Sequence, residues 1–219
     1  MPSKWEYGGA YLRHPVKGKR VEFADGSIVQ EHDIFDPLPK FMLGSDLLFV
    51  DPPWNVGNLN GFYTKAGRKD YQNSFLPFVE RLFRCIKEIH PHTCYVEVGK
   101  EFLADFIVEM RKEYRYVTFC NSTYYHSAQN LCYVVRGASK RRRLQSLEGL
   151  DEENIIAWVC ANEDFECIGD LCIGRGLVGV YAHANNRRFS GTELNHRRLS
   201  VLIEILHKAG LEYKLHDIL

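Results

Sequence analysis

Leu47-Leu48-Phe49-Val50-Asp51-Pro52-Pro53-Trp54-Asn55 sets four apolar residues directly before a carboxylate, two prolines and an indole. The apolar run is short and unbroken rather than alternating, as in a strand covered on both faces. Two successive prolines remove two N–H donors and stiffen the backbone, so the chain leaves the sheet at the strand's carboxyl end with carbonyls unpaired. Open α/β sheets bind ligands at that end. One carboxylate, free carbonyls and an aromatic face make an acceptor-rich pocket for a planar group carrying an N–H₂ donor. An exocyclic amine on a purine or pyrimidine fits. Its lone pair is delocalised into the ring, and acceptors on both N–H bonds favour the more tetrahedral, nucleophilic form. In this reading Asp51 takes one hydrogen, the Pro52 carbonyl takes the other, and Trp54 stacks on the ring. The structural alternative is a strand-ending turn with a core Trp.

Outward from this segment, short apolar or alternating runs predict further strands at Ile28 to Ile34, Cys94 to Val98, Tyr116 to Cys120, Leu131 to Val135, Cys167 to Cys172, Arg188 to Glu193 and Glu212 to His216. Helical spacing predicts helices over Phe75 to Ile89 and Phe102 to Met110, with others at Glu152 to Ala161, Leu177 to Ala184 and Asn195 to Ala209. Strands alternating with helices imply a mostly parallel α/β sheet with helices on both faces. Tyr116 to Cys120 and Leu131 to Val135 follow one another without a helix, which predicts one antiparallel edge hairpin. The expected organisation is a single domain, 1–219. Its first half is about 28–138, a charged connection follows over 139–151, and its second half is about 152–219.

The 219 residues are 45% hydrophobic and 26% charged, which excludes a disordered chain, and no apolar run is long enough to span a bilayer. Twenty-eight Lys and Arg balance 28 Asp and Glu, so a uniformly basic coat is excluded while local basic stripes are not. Seven cysteines without a C-x-x-C pair, and a start at Met1 to Glu6 lacking a signal-peptide segment, lead to the expectation of reduced thiols in a cytoplasm. Cys94, Cys120, Cys132 and Cys160 lie among apolar residues and read as core residues rather than zinc ligands.

A second chemical segment runs Cys167-Ile168-Gly169-Asp170-Leu171-Cys172-Ile173-Gly174-Arg175-Gly176-Leu177-Val178-Gly179. Glycines at a strand-to-helix turn let backbone N–H groups approach a ligand beside the positive end of the helix. Nineteen residues after Gly174, Glu193-Leu194-Asn195 closes another strand, where an acid accepts both ribose hydroxyls of a nucleoside cofactor. A dinucleotide oxidoreductase shows a similar pair, but G-x-G-x-x-G is matched only loosely and no pyrophosphate partner is evident.

Asp51-Pro52-Pro53-Trp54 resembles the D-P-P-[YFW] catalytic motif of S-adenosylmethionine-dependent amino-methyltransferases acting on adenine N6; the cytosine-N4 branch usually has Ser first. Gly169 to Asn195 resembles two further motifs of that family, D-P-F-C-G-S-G-T-T and G-x-E-x-N. Asp170, Gly174, Gly176, Glu193 and Asn195 match, Cys172 stands where Phe is usual, and Arg175 replaces a small residue. The catalytic motif precedes the cofactor loop, as in the circularly permuted β group of DNA amino-methyltransferases, and the resemblance covers most of 28–209. It implies a Rossmann-like methyltransferase fold with permuted motif order and no metal ion. It implies methyl transfer from S-adenosylmethionine to adenine N6 in DNA, with the base extruded. Asp51, Pro52, Pro53 and Trp54 are then catalytic. Asp33, Asp170, Cys172, Gly174, Gly176, Glu193 and Asn195 hold the cofactor, and Glu152 to Ala161 reads either as the helix that closes over its methionine end or as an amphipathic core helix. Asp33 is taken over Asp217 for the cofactor's adenine because a chain end frays more readily.

For nucleic acid, the expected contacts are Lys65, Arg68 and Lys69 after the catalytic motif, and Lys140, Arg141, Arg142 and Arg143 in the connection. Gly57 to Tyr71 reads as a Gly- and Asn-rich mobile loop flanking an extruded base. The short connection lacks the target-recognition segment usual in the group. It implies a very short site, a single-stranded or RNA substrate, or recognition shared with a second subunit or in a homodimer. Duplex DNA in a bacterial or phage-infected cytoplasm is the leading expectation. Adenine-N6 methylation of RNA and a non-catalytic nucleic-acid- or partner-binding subunit are the alternatives.

Overall fold

The computed structural model describes residues 7–124, 129–142 and 145–218. Among these, β1 (Lys19–Phe23), β2 (Ile28–Glu31), β3 (Leu47–Val50), β4 (Thr93–Val98), β5 (Tyr116–Thr123), β6 (Leu131–Ala138), β7 (Cys167–Asp170), β8 (Arg188–Glu193) and β9 (Tyr213–Asp217) form one sheet. Their spatial order is β5-β6-β4-β3-β7-β8-β2-β1-β9. The central run β4-β3-β7-β8-β2 is parallel throughout. The helices are α1 (Ala10–Arg13), α2 (Val56–Lys65), α3 (Leu76–Ile89), α4 (Leu103–Glu113), α5 (Glu152–Asn162), α6 (Leu177–Ala184) and α7 (His196–Lys208). Among the described residues no helix is long and apolar enough to cross a membrane.

The unbroken apolar run of β3 has the burial its sequence predicts, with all four side chains inside. Alternation sends Leu47 and Phe49 to one face, where they join the buried residues of α5, α6 and α7, and Leu48 and Val50 to the other, with those of α2, α3 and α4. Helices thus cover both faces. The antiparallel pair β5–β6 lies at one edge as expected.

Two expectations change. The sheet is antiparallel at its other edge as well, because Lys19–Phe23 is a strand that pairs with both β2 and β9. Only Val21 and Phe23 mark its inward face, too short an alternation to read in isolation. Gly57 to Tyr71 is not simply a loop, since α2 occupies Val56–Lys65. The Asn55 side chain caps it by accepting from the Asn58 N–H at 2.9 Å, and Leu59 and Tyr63, four residues apart, turn into the core.

The chain steps from β3 to β4 in one direction across the sheet and from β7 to β8 in the other. The neighbours β3 and β7, in register Leu47 to Ile168, therefore flank a topological switch point. Asp51 follows one of these strands and Asp170 ends the other, so both motifs open onto the same crevice.

Candidate active site

The crevice is a cavity of about 920 Å³ lined by Asp51, Pro52, Pro53 and Trp54 on one side and by Asp170, Cys172, Gly174 and Glu193 on the other, with Asp33 between β2 and α2. Asp51 is held from two directions: its Oδ1 accepts from Trp54 Nε1 at 3.2 Å, and its Oδ2 accepts from the Tyr124 hydroxyl at 3.3 Å. The Trp54 and Tyr124 rings meet edge to face at 5.3 Å. Burial raises the Asp51 carboxyl to about 6, against the pull of the Trp54 and Tyr124 donors and of Arg198. At neutral pH it is chiefly an ionised acceptor. The Pro52 and Pro53 rings are buried, and neither peptide nitrogen carries a hydrogen.

On the other side, Gly174 (φ 58°) and Gly176 (φ 87°) both take the left-handed conformation that L side chains resist, and α6 starts directly after Gly176. Glu193 fastens this loop, with one oxygen accepting from Gly174 N at 2.7 Å and the other from Asn195 N at 2.9 Å. A carboxylate offers about four lone-pair positions, so two remain for donors in the cavity. Asp170 is buried and accepts from Cys172 N at 2.8 Å; burial holds its carboxyl well above the usual range. Burial beside Asp170 likewise pushes up the Cys172 thiol, which stays neutral.

Asp33 receives the Tyr63 hydroxyl at 2.8 and 2.9 Å and Arg68 at 2.6 Å. Asp217 stands two strands further out, 78% exposed and paired with Lys19, and does not line the cavity. Two of the expected cofactor residues stand behind the lining. Gly176 lies against Leu202, and Asn195 caps α7 through the Arg197 N–H at 3.0 Å while donating to the Lys65 carbonyl at 3.2 Å.

The basic residues divide. Lys65 lines the cavity, Arg68 is engaged by Asp33, and Lys69 is exposed nearby. Lys140, Arg141 and Arg142 are elsewhere. Because β6 runs antiparallel to β4, with Ala138 opposite Thr93, the connection emerges at the amino ends of the parallel strands, about 17 Å of strand from the catalytic end. Arg142 is paired there with Glu163 at 2.7 Å. These three residues, expected to contact nucleic acid, therefore stand at the opposite end of the strands from the catalytic motif; Arg143 lies outside the described residues.

Sequence reading missed Tyr124, Glu97 and the side chain of Glu152. Tyr124 follows β5 and reaches Asp51 across 73 residues, with no local signal. Glu97 had one, a charge inside the apolar strand Cys94-Tyr95-Val96-Glu97-Val98. It is fully buried, and burial with the nearby Asp51 and Glu152 charges holds its carboxyl well above the usual range. Glu152, the first residue of α5, is pushed up to about 8 by burial and by Asp51, with Arg175 opposing.

Solved structures superpose on this fold over about four-fifths of the chain. The structure of M1.HpyAVI superposes with a TM-score of 0.60 at 13% identity, over 81% of this chain and 97% of that one. TTHA0409 from Thermus thermophilus, assigned as a DNA modification methylase, gives 0.55 at 14% identity, over 82% of this chain and 94% of that one. The chain has the methyltransferase fold. No protein-family model and no curated protein sequence matches it. In this methyltransferase fold the carboxylate-proline motif and the glycine loop face each other across one cavity. A M1.HpyAVI complex with SAM superposes at 0.58 with 11% identity, and a TTHA0409 complex with S-adenosyl-L-methionine at 0.54 with 14% identity.

Proposed function

We propose that the protein transfers a methyl group from S-adenosylmethionine to the N6 amine of adenine in DNA. The observation that carries this reading is the convergence of Asp51-Pro52 and the Glu193-tied glycine loop on one cavity of about 920 Å³. S-adenosylmethionine supplies an electrophilic methyl on a sulfonium. The residues present fit it: Glu193 has acceptor positions left for ribose hydroxyls, the turn at Gly174 leaves open space beside the backbone, and Asp33, just past β2, lines the same cavity.

The chain's own work is at the amine. Asp51 accepts one N–H and the Pro52 carbonyl the other, which draws the nitrogen toward a tetrahedral, nucleophilic geometry. As the nitrogen acquires positive charge, the Asp51 carboxylate stabilises it, and a carboxyl near 6 takes up a proton more readily than an ordinary aspartate. Trp54 presents an aromatic surface to an extruded base while its Nε1 keeps Asp51 oriented. Asp in place of Ser at the head of the motif supports adenine over cytosine.

A second reading, the same chemistry on RNA, is supported by Trp54 at the fourth motif position and by the short 139–151 connection, which leaves few side chains to read duplex base edges. The deciding experiment is incubation with labelled S-adenosylmethionine and duplex DNA, single-stranded DNA or RNA, followed by mass spectrometry of the nucleosides. N6-methyladenine from DNA is expected. N4-methylcytosine overturns the base assignment, label in RNA alone establishes the second reading, and cofactor binding without transfer to any of them leaves a non-catalytic subunit.

A further inference from the structure

Beside Asp51 stand more carboxyl groups than amine activation requires. Glu97 is fully buried, and among the described residues neither of its carboxylate oxygens has a hydrogen-bond partner beyond the weakly donating Cys132 thiol that faces it. Glu152 is 9% exposed at the start of α5. One oxygen from each of Asp51, Glu97 and Glu152 lies within 4.8 Å of the other two. Arg198 and Arg175 are close enough to act on Asp51 and Glu152 through space, but neither forms an ion pair with any of the three among the described residues.

Buried carboxylates are ordinarily paired or bound to metal, and an unsatisfied one is costly. The three oxygens, all within 4.8 Å of one another, are close enough to converge on one hard, oxygen-seeking ion. Three observations coincide here: hard oxygen ligands, their mutual proximity and a buried carboxylate aimed into the group with no strong hydrogen-bond donor among the described residues.

We propose that Asp51, Glu97 and Glu152 bind one hard divalent cation at the end of the cavity beside Asp51, in competition with the target amine. Water from the open cavity completes the ion's coordination, and binding displaces whatever protons the carboxyls hold. Asp51 cannot ligate the ion and accept an amine hydrogen with the same lone pairs, so the two occupants exclude each other. Only this competition rests on the proposed methyl transfer; the site itself does not.

The test uses the full chain, stripped with chelator and titrated with Mn²⁺ as a paramagnetic probe, with Ca²⁺ added as competitor. One Mn²⁺ per chain, displaced by Ca²⁺ and bound at least tenfold more weakly by Glu97→Gln, is the expected result. Glu152→Gln, altered at the first turn of a helix rather than inside a strand, serves as the second variant should Glu97→Gln not fold. Equal binding by wild type and variants, or no binding below about 1 mM, overturns the site and leaves a trio that shares protons only. Mn²⁺ binding by a chain that methylates no nucleic acid upholds the cation site while the proposed function fails, and methylation of DNA without Mn²⁺ binding does the reverse.

Discussion

Glu193→Gln keeps the size of the side chain and removes its charge, which separates the carboxylate's two jobs. In the wild type each oxygen accepts a backbone N–H, from Gly174 at 2.7 Å and from Asn195 at 2.9 Å. In the variant one oxygen becomes an N–H₂ that faces an N–H, so one buried donor loses its acceptor, at about 1–3 kcal/mol. For a domain of this length that lowers Tm by roughly 2–12 °C. The ligand loses more specifically. Hydrogen bonds from ribose to a charged acceptor contribute about 1.5–3 kcal/mol, so S-adenosylmethionine affinity should fall about 10- to 150-fold. Titration calorimetry measures the affinity and thermal denaturation the stability. A variant that is destabilised yet binds the cofactor with unchanged affinity would show that Glu193 only fastens the glycine loop, and the ribose site would have to lie elsewhere. Tight binding of a nicotinamide dinucleotide by the wild type would instead favour an oxidoreductase.

The glycines of the loop should differ in their tolerance. Gly176→Ala combines a left-handed backbone with a Cβ 2.6–2.8 Å from Leu202 and should cost about 2–5 kcal/mol, whereas Gly174→Ala meets nothing nearer than 3.8 Å and should cost about 1–2 kcal/mol; equal losses in urea denaturation would refute the packing distinction. Asp51→Ala should abolish methyl transfer and leave calorimetric cofactor affinity largely intact, and Asp51→Asn should retain little activity because an amide accepts a hydrogen bond without carrying charge; wild-type turnover by either would remove Asp51 from the mechanism. Paired reversal of Lys65 and Lys69 to Glu should weaken DNA binding and flatten its salt dependence, while reversal of Lys140 and Arg141 should not, and the opposite outcome in filter-binding titrations would place the nucleic acid at the far end of the sheet. Arg13 and Lys208 hold the Glu204 carboxyl down to about 2, so its stabilising contribution is fully present above the ordinary carboxylate pKa and is lost as pH falls through about 2. The stability gap between wild type and Glu204→Gln should accordingly close across that window, and a gap independent of pH would show that the ion pairs do not cause it.

What the sequence determined by itself were the features whose physics is local. Pro52 and Pro53 end a strand through their own missing N–H groups, Gly174 and Gly176 allow a left-handed turn at their own backbone, and the period of Phe78, Val79, Leu82, Phe83 and Ile86 makes a helix with one apolar face. Those local facts were enough for the α/β class, the β5–β6 pair and the two chemical segments. They were not enough for α2, where the Asn55 cap and the burial of Leu59 and Tyr63 outweigh a Gly- and Asn-rich composition. Tertiary structure alone decided which strand ends meet. The reversal between β3 and β7 brings residues 51 and 170 to one crevice, whereas the antiparallel course of β6 carries Lys140 to Arg142 away from it. It also decided who stands beside Asp51: Tyr124, Glu97 and Glu152 arrive from a strand end, a buried strand and a helix start. A charge within β4 was visible in the chain, but its neighbours were not, because strand order and register are set by packing summed over the whole sheet and leave no trace within the few residues around any one of them.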